Sequence, residues 1–178
     1  LIGLVGSEMC IRDSNIILDF NYTASTRLIL KQCGLSDEDI DNRLIKVHGE
    51  ASNNDIIFGV EDNAGIKKEH VFLRKAYNIK YKALNFSELY DRIKSVAIFG
   101  HSLGETDHTY FNKLFQESCM YNKFSTNNNK EFWLFYYKEN GYHCMMQQLD
   151  SLTHNSLTSF RQYNRVNFIN TDKEKVFI

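Results

Sequence analysis

Val96-Ala97-Ile98-Phe99-Gly100-His101-Ser102-Leu103-Gly104-Glu105-Thr106-Asp107 decides how this chain is read. The apolar run predicts a buried strand, the glycines a turn, and Asp107 the start of an amphipathic helix. Such a turn places backbone N–H groups and polar side chains at a strand's carboxyl end, where open α/β sheets bind ligands. Two chemistries fit it. Gly100-His101-Ser102-Leu103-Gly104 alone matches the G-x-S-x-G nucleophile elbow of serine hydrolases. Taken with Phe20-Asn21-Tyr22-Thr23 and Val47-His48-Gly49, the same turn becomes one of three pieces of a nucleotide site.

Outward from that stretch the chain alternates strand and helix patterns. Asn15 to Phe20, Arg43 to His48, Asp55 to Val60 and Glu131 to Tyr137 predict strands. Thr23 or Ser25 is expected to cap a helix carrying Leu28, Ile29 and Leu30 that Gly34 stops. Lys67 to Tyr81 predicts a helix with Phe72, Ala76 and Ile79 on one side. Asn85-Phe86-Ser87-Glu88 reads as a capping box opening another. Tyr110, Phe111, Leu114, Phe115 and Cys119 recur at the helical period after Asp107. Cys144, Met145, Gln148, Leu149 and Leu152 mark a further helix. Arg165 to Ile169 and Lys175 to Ile178 suggest a terminal hairpin. The fold class expected is α/β, a mainly parallel sheet with flanking helices, Rossmann-like.

The bulk properties exclude several classes. The 178 residues suit one domain, and a formal net charge of −1 gives no pull toward nucleic acid or an anionic membrane. Cys10, Cys33, Cys119 and Cys144 form no C-x-x-C pair and read as reduced thiols of a cytoplasmic protein. The apolar runs are too short to span a membrane. Leu1 to Ser14 lacks any helical or strand period and resembles translated sequencing-adaptor DNA. Residues 1–14 are therefore read as non-native, and 15–178 as the C-terminal part of an incomplete domain.

Each candidate residue has a chemical use. Asn21 follows a strand and offers donor and acceptor to a sugar hydroxyl or a water. Imidazole exchanges protons near neutral pH, so the His48 side chain can take one from either. Gly49 lets a ligand approach the backbone. Gly100 and Ser102 can line a phosphate or ribose. A hydrolase would need an acid and a histidine after Ser102; Asp150 with His154, or Asp107 with His143 or His154, are the available pairs. The helix after the turn is expected to face Asp107, His108, Asn112 and Lys113 outward. No metal ligand set is expected, since His101, Asp107 and His108 lack further ligands nearby.

Three segments in order, Asp19-Phe20-Asn21-Tyr22-Thr23, Val47-His48-Gly49 with Ile56-Ile57-Phe58-Gly59, and Gly100 to Asp107, resemble the AbiH family of bacteriophage abortive-infection proteins. The resemblance covers about Asn15 to Leu152. More distantly, the motifs are similar to those of sirtuin-like NAD-binding domains. That likeness implies NAD as substrate, with Asn21 orienting ribose or the attacking water and His48 acting as base. It implies that Phe20, Tyr22, Thr23, Gly49, Gly100, His101 and Ser102 line the nucleotide, and that Asp107 ties the turn to its helix. It also implies a glycine-rich turn of the G-N-G-F-D type, for which Gly3-Leu4-Val5-Gly6 is a poor substitute. Thr23 stands where sirtuin-like domains carry an acid. The expectation is a nucleotide-binding, NAD-hydrolysing defence effector, weak or inactive as this chain alone. A serine hydrolase and a non-catalytic nucleotide sensor are the alternatives. A phage-derived trigger and self-association are open as partners.

Overall fold

The computed structural model describes residues 2–4, 16–60, 64–78, 93–120 and 129–173. Six strands form one sheet: β1 (Ile2–Leu4), β2 (Ile17–Asp19), β3 (Leu44–Lys46), β4 (Ser95–Ile98), β5 (Glu131–Tyr136) and β6 (Arg165–Asn170), in the order β3-β2-β1-β4-β5-β6. β2 pairs parallel with β3, and β4, β5 and β6 pair parallel in turn. β1 runs antiparallel to both of its neighbours, β2 and β4. Two strands antiparallel to the same third strand point the same way, so β2 to β6 all share one direction. Their carboxyl ends therefore lie along a single edge of the sheet.

Both faces of the sheet are covered. Consecutive strand residues point to opposite faces, and Ile17 and Leu18 divide accordingly. Ile17 packs with Leu30 and Ile40 of helices α1 (Ser25–Gln32) and α2 (Asp37–Arg43). Leu18 joins the larger core built on α3 (His108–Ser118), α4 (Lys138–Leu152) and α5 (Leu157–Tyr163). At its centre Phe115 stacks on Phe132 at 5.6 Å and meets Phe160 at 5.5 Å, all three fully buried. On β5, Phe132 and Leu134 enter this core while Phe135, on the opposite face, is buried beside Phe99, and the strand reads as an unbroken apolar run.

Several expected elements differ. Asp55 to Val60 is no strand: it contributes only an isolated bridge between Val60 and Arg74, and Phe58 stays 70% exposed. A short apolar run makes a strand only where a neighbouring strand pairs with it. The described part of Lys67 to Tyr81 holds two 3₁₀ turns, Lys68–Leu73 and Lys75–Tyr77, with Phe72 exposed and Lys75 buried. Neither Thr23 nor Ser25 caps α1; their hydroxyls bond each other at 2.9 Å, and Ala24 holds the cap position. Leu30 is buried, whereas Leu28 and Ile29 face solvent. Gly34, at φ +87°, does end the helix, its N–H donating to the Lys31 carbonyl. β6 pairs parallel with β5, reached through α5, a helix that the sequence reading did not include. Ile79, the capping box at 85–88 and the second hairpin strand at 175–178 lie outside the described residues.

Replacing Phe115 with Ala is expected to cost about 3–5 kcal/mol of unfolding free energy. Leu28→Ala on exposed α1 should change it by less than about 0.5 kcal/mol. Urea unfolding of both variants followed by circular dichroism checks the contrast.

Candidate functional site

The common strand direction brings three loops to one edge. Chain leaving β2 supplies Phe20, Asn21, Tyr22 and Thr23. Chain leaving β3 supplies Val47, His48 and Gly49. Chain leaving β4 supplies Phe99 to Gly104 and then the 3₁₀ turn Glu105–Asp107 that leads into α3. β3 and β2 are direct neighbours, but β4 lies across β1, about 10 Å from β2 at ordinary strand spacing. Side chains close that gap. Phe20 sits between the loops, its ring 5.4 Å from that of His48 and 4.5 Å from that of His101. Tyr110 and Phe111 of α3 complete the apolar seat at 5.6 and 5.5 Å from Phe20.

Asp107 is the polar centre. Its Oδ1 lies 3.2 Å from His48 Nε2 and 3.3 Å from Lys75 Nζ; its Oδ2 lies 3.4 Å from His101 Nε2. Lys75 also donates to the Thr106 carbonyl at 3.3 Å. The side chains of His48, His101 and Lys75 are 7%, 8% and 8% exposed, so the cluster is largely out of water. Burial pushes the Asp107 carboxyl toward protonation. Hydrogen bonds from His101 and His48 and the charge of Lys75 outweigh it and hold the group far below the usual carboxylate range. Asp107 is therefore ionised at neutral pH.

That charge fixes the protons on both imidazoles. Leu103 N–H donates to His101 Nδ1 at 2.9 Å, so Nδ1 carries no proton and Nε2–H faces Asp107. His101 is thus neutral and has no nitrogen to spare. His48 presents Nε2 to a carboxylate that can only accept, so Nε2 carries a proton. His48 Nδ1 is buried and has no hydrogen-bond partner. It is the one ring nitrogen of this cluster left to exchange a proton with something else.

The loops are themselves tied down. Lys46 Nζ reaches Asp19 Oδ2 at 2.8 Å and the carbonyls of Asn21 and Thr23 at 2.6 Å each. The Asn21 N–H returns to Asp19 Oδ1 at 2.9 Å. Burial raises the Asp19 pKa, but Lys46, the Asn21 N–H and Thr26 lower it further than that, so this fully buried acid is ionised too. Gly49 takes φ +74°, and a Cβ there would sit 2.1 Å from the Asp55 carbonyl oxygen. The close approach expected of a ligand at Gly49 is made by the chain's own backbone. At Gly100, also at positive φ (+63°), a Cβ would meet nothing within 4 Å.

The sequence candidates divide into two groups. Asn21, Tyr22, Thr23, Gly100 and Ser102 are exposed on the rim; Phe20, His48 and Gly49 are buried, and His101 and Asp107 are half-buried behind it. Tyr22 stacks on His48 at 5.9 Å and also meets exposed Phe58 at 5.5 Å. Ser102 is not on a nucleophile elbow. The left-handed residues of the turn are Gly100 and Leu103, not Ser102, and six residues of coil and a 3₁₀ turn separate β4 from α3. No imidazole hydrogen-bonds Ser102 among the described residues. His154 pairs with Gln116 and exposed His143 lies near Glu139, which leaves the proposed triads unassembled. Asp107 and His108 do not face outward as expected. The buried imidazoles draw Asp107 in, and His108 Nε2 donates to Leu103 O at 3.0 Å and Gln148 Oε1 at 2.8 Å, clasping the turn to α4. Sequence reasoning missed Lys75, whose exposed-looking pattern gave no sign of burial, and Tyr110, which read as core. Further along the same sheet edge a cavity of about 480 Å³ opens beside Tyr136, Tyr142 and Asn170, apart from this cluster.

Comparison with known proteins places the chain. The family model described as "Bacteriophage abortive infection AbiH" matches residues 4–137, so the chain belongs to the AbiH family. No curated protein and no solved structure matches it. Among the described residues no helix is long and apolar enough to cross a membrane.

A carboxylate whose pKa is lowered in the folded state stabilises the fold above its unfolded pKa, and that contribution is lost as pH falls. Asp107 should therefore make unfolding easier from about pH 5 downward. Asp107→Asn should unfold more readily than wild type at pH 7 and show a shallower loss between about pH 5 and 3; Asp19 keeps part of the slope. Urea titrations across that pH range in both proteins check it.

Proposed function

We propose that this AbiH-family chain binds a nucleotide at the β2–β3–β4 edge and that the site hydrolyses NAD. Support comes from one observation above all. His48 is held by Asp107 through Nε2 while its buried Nδ1 has no partner, beside rim groups suited to a sugar and its phosphates. An acid that orients an imidazole and stabilises its protonated form is the arrangement a general base requires. Five strands that share one direction, with candidate ligand groups at their carboxyl ends, add fold-level analogy with open α/β ligand sites.

The chemistry balances without a bound metal. A water attacks C1′ of the nicotinamide ribose. The C–N glycosidic bond breaks and nicotinamide leaves with the bonding pair, which neutralises its positive charge. The water gives a proton to His48 Nδ1, and ADP-ribose is the other product. Positive charge builds on the ribose in the transition state, so positioning and nearby dipoles supply most of the acceleration. Asn21 would orient the water or a ribose hydroxyl, and Gly100 and Ser102 would take the phosphate or ribose oxygens. Tyr22 would have to swing off His48 to admit them, a move that its exposed position on Phe58 permits.

Incubation of the protein with NAD should release nicotinamide at a low rate, measured by chromatography. His48→Ala should slow release by about 10²–10⁴-fold. Asn21→Ala, at an exposed position with little effect on folding, should slow it by about 10–100-fold. Binding without release would make the protein a nucleotide sensor. Neither binding nor release, or equal release by His48→Ala, overturns the proposal. Ser102→Ala should keep folding intact, and wild type should resist fluorophosphonate labelling at Ser102.

A further inference from the structure

Ile56-Ile57-Phe58-Gly59 forms no strand, and the chemistry above gives it no task. Ile57 is buried, yet the next residue, Phe58, leaves 70% of its surface in water. A single exposed ring is ordinary on a protein surface. This one belongs to a series of ring contacts that starts at the candidate base. Tyr22 lies 5.9 Å from buried His48 with the rings near-parallel, and 5.5 Å from Phe58 with the rings tilted by 37°. We infer that Phe58 is a specificity-determining residue whose exposed ring takes the face of a flat, positively charged heterocycle, the oxidised nicotinamide ring of NAD. The inference rests on the proposed binding of NAD at this edge.

Backbone bonds, rather than burial of the ring, hold Phe58 in place. On one side Ile57 N–H donates to the His48 carbonyl at 2.9 Å. On the other, Val60 N–H donates to the Leu73 carbonyl at 2.8 Å, and Lys75 N–H to the Val60 carbonyl at 2.9 Å. Gly59 between them takes φ +151°, and a Cβ there would lie 2.5 Å from the Leu73 carbonyl oxygen. Glycine is what lets the two backbones pass so close. The ring is therefore presented beside the His48 loop by a segment tied at both ends. A group fixed before the ligand arrives loses little freedom when the ligand binds.

The reaction says what the ring would meet. The water that attacks C1′ must reach His48, and the nicotinamide nitrogen is bonded to that same carbon. The nicotinamide ring must therefore lie next to His48. Of the rings in contact with His48, Phe20 and Tyr110 are buried and Tyr22 is exposed. A planar ligand ring thus approaches from the side of Tyr22 and Phe58. An aromatic face carries negative potential and attracts a flat cation more than a neutral ring. Oxidised nicotinamide carries a positive charge while joined to ribose; its dihydro form and free nicotinamide carry none. Phe58 holds the ring before the glycosidic bond breaks and holds it less once the charge is gone. Because the contact stabilises a charge that the reaction removes, it serves substrate choice and product release, not the rate of bond breaking.

The test is isothermal titration calorimetry at pH 7 with three ligands. One is the carbocyclic analogue of NAD, in which a methylene replaces the ring oxygen of the nicotinamide ribose and blocks hydrolysis. The second is the dihydronicotinamide form of that analogue, and the third is ADP-ribose, which lacks the nicotinamide. Wild type should bind the oxidised analogue about three- to tenfold more tightly than the reduced one. Phe58→Ala and Phe58→Leu should each erase that preference and leave ADP-ribose binding unchanged, and Phe58→Trp should keep it. Equal affinity of wild type for the two forms overturns the inference whether or not any variant folds. So does a Phe58→Ala protein that keeps the preference, or one that loses ADP-ribose to the same extent as the oxidised analogue. Those results leave nucleotide binding at this edge standing. A wild type that binds neither the analogue nor ADP-ribose ends the nucleotide reading, and this inference with it.

Discussion

The Asp107 carboxylate joins parts of the chain that lie far apart in sequence. It sits at the entry to α3 and holds an imidazole from the β3 loop, an imidazole from the β4 loop and an ammonium from the segment between them. Three sequence-distant pieces thus share one buried charge. A buried ion is tolerated only when its lone pairs are taken up, and here they are, by donors on both oxygens. Removing any donor leaves charge uncompensated, so the loops are held as a unit. Phe20 does the matching apolar work, since its ring contacts His48, His101, Tyr110 and Phe111 together.

Strand direction is what lets this happen. Had β2 and β4 run oppositely, Asn21 and Ser102 would stand on opposite edges of the sheet. They share an edge even though β1, lying between them, runs against both. The direction of β2 to β6 thus fixes the location of the site, and Asp107 fixes its internal geometry. The rim and the interior then have different tasks. Asn21, Gly100 and Ser102 remain open to a ligand, while His101 and Asp107 are spent on orienting His48.

The sequence carried most of the regular elements. β5 and α3 were legible within a residue or two because their apolar spacing is dictated by a two-sided core and by one buried helix face. Asp55 to Val60 was not, because a short apolar run makes a strand only if a neighbouring strand bonds to it, and neighbours are a tertiary property. The helix expected from Lys67 failed for a similar reason: Phe72 and Ala76 stay exposed, and Lys75 is buried against Asp107. In the site, His48, Asn21 and the β4 turn were visible as motifs at strand ends. The proton arrangement was not, since it depends on Leu103 N–H reaching His101 and on a lysine whose burial no periodicity announces.

The central claim is that His48 and Asp107 act as one energetic unit. A double-mutant cycle with His48→Ala and Asp107→Ala, read by urea unfolding at pH 7, measures this directly. The account predicts that the double variant is less destabilised than the sum of the two single ones, by at least about 1 kcal/mol. Additivity to within about 0.3 kcal/mol would mean that the imidazole and the carboxylate do not depend on each other, and would contradict it.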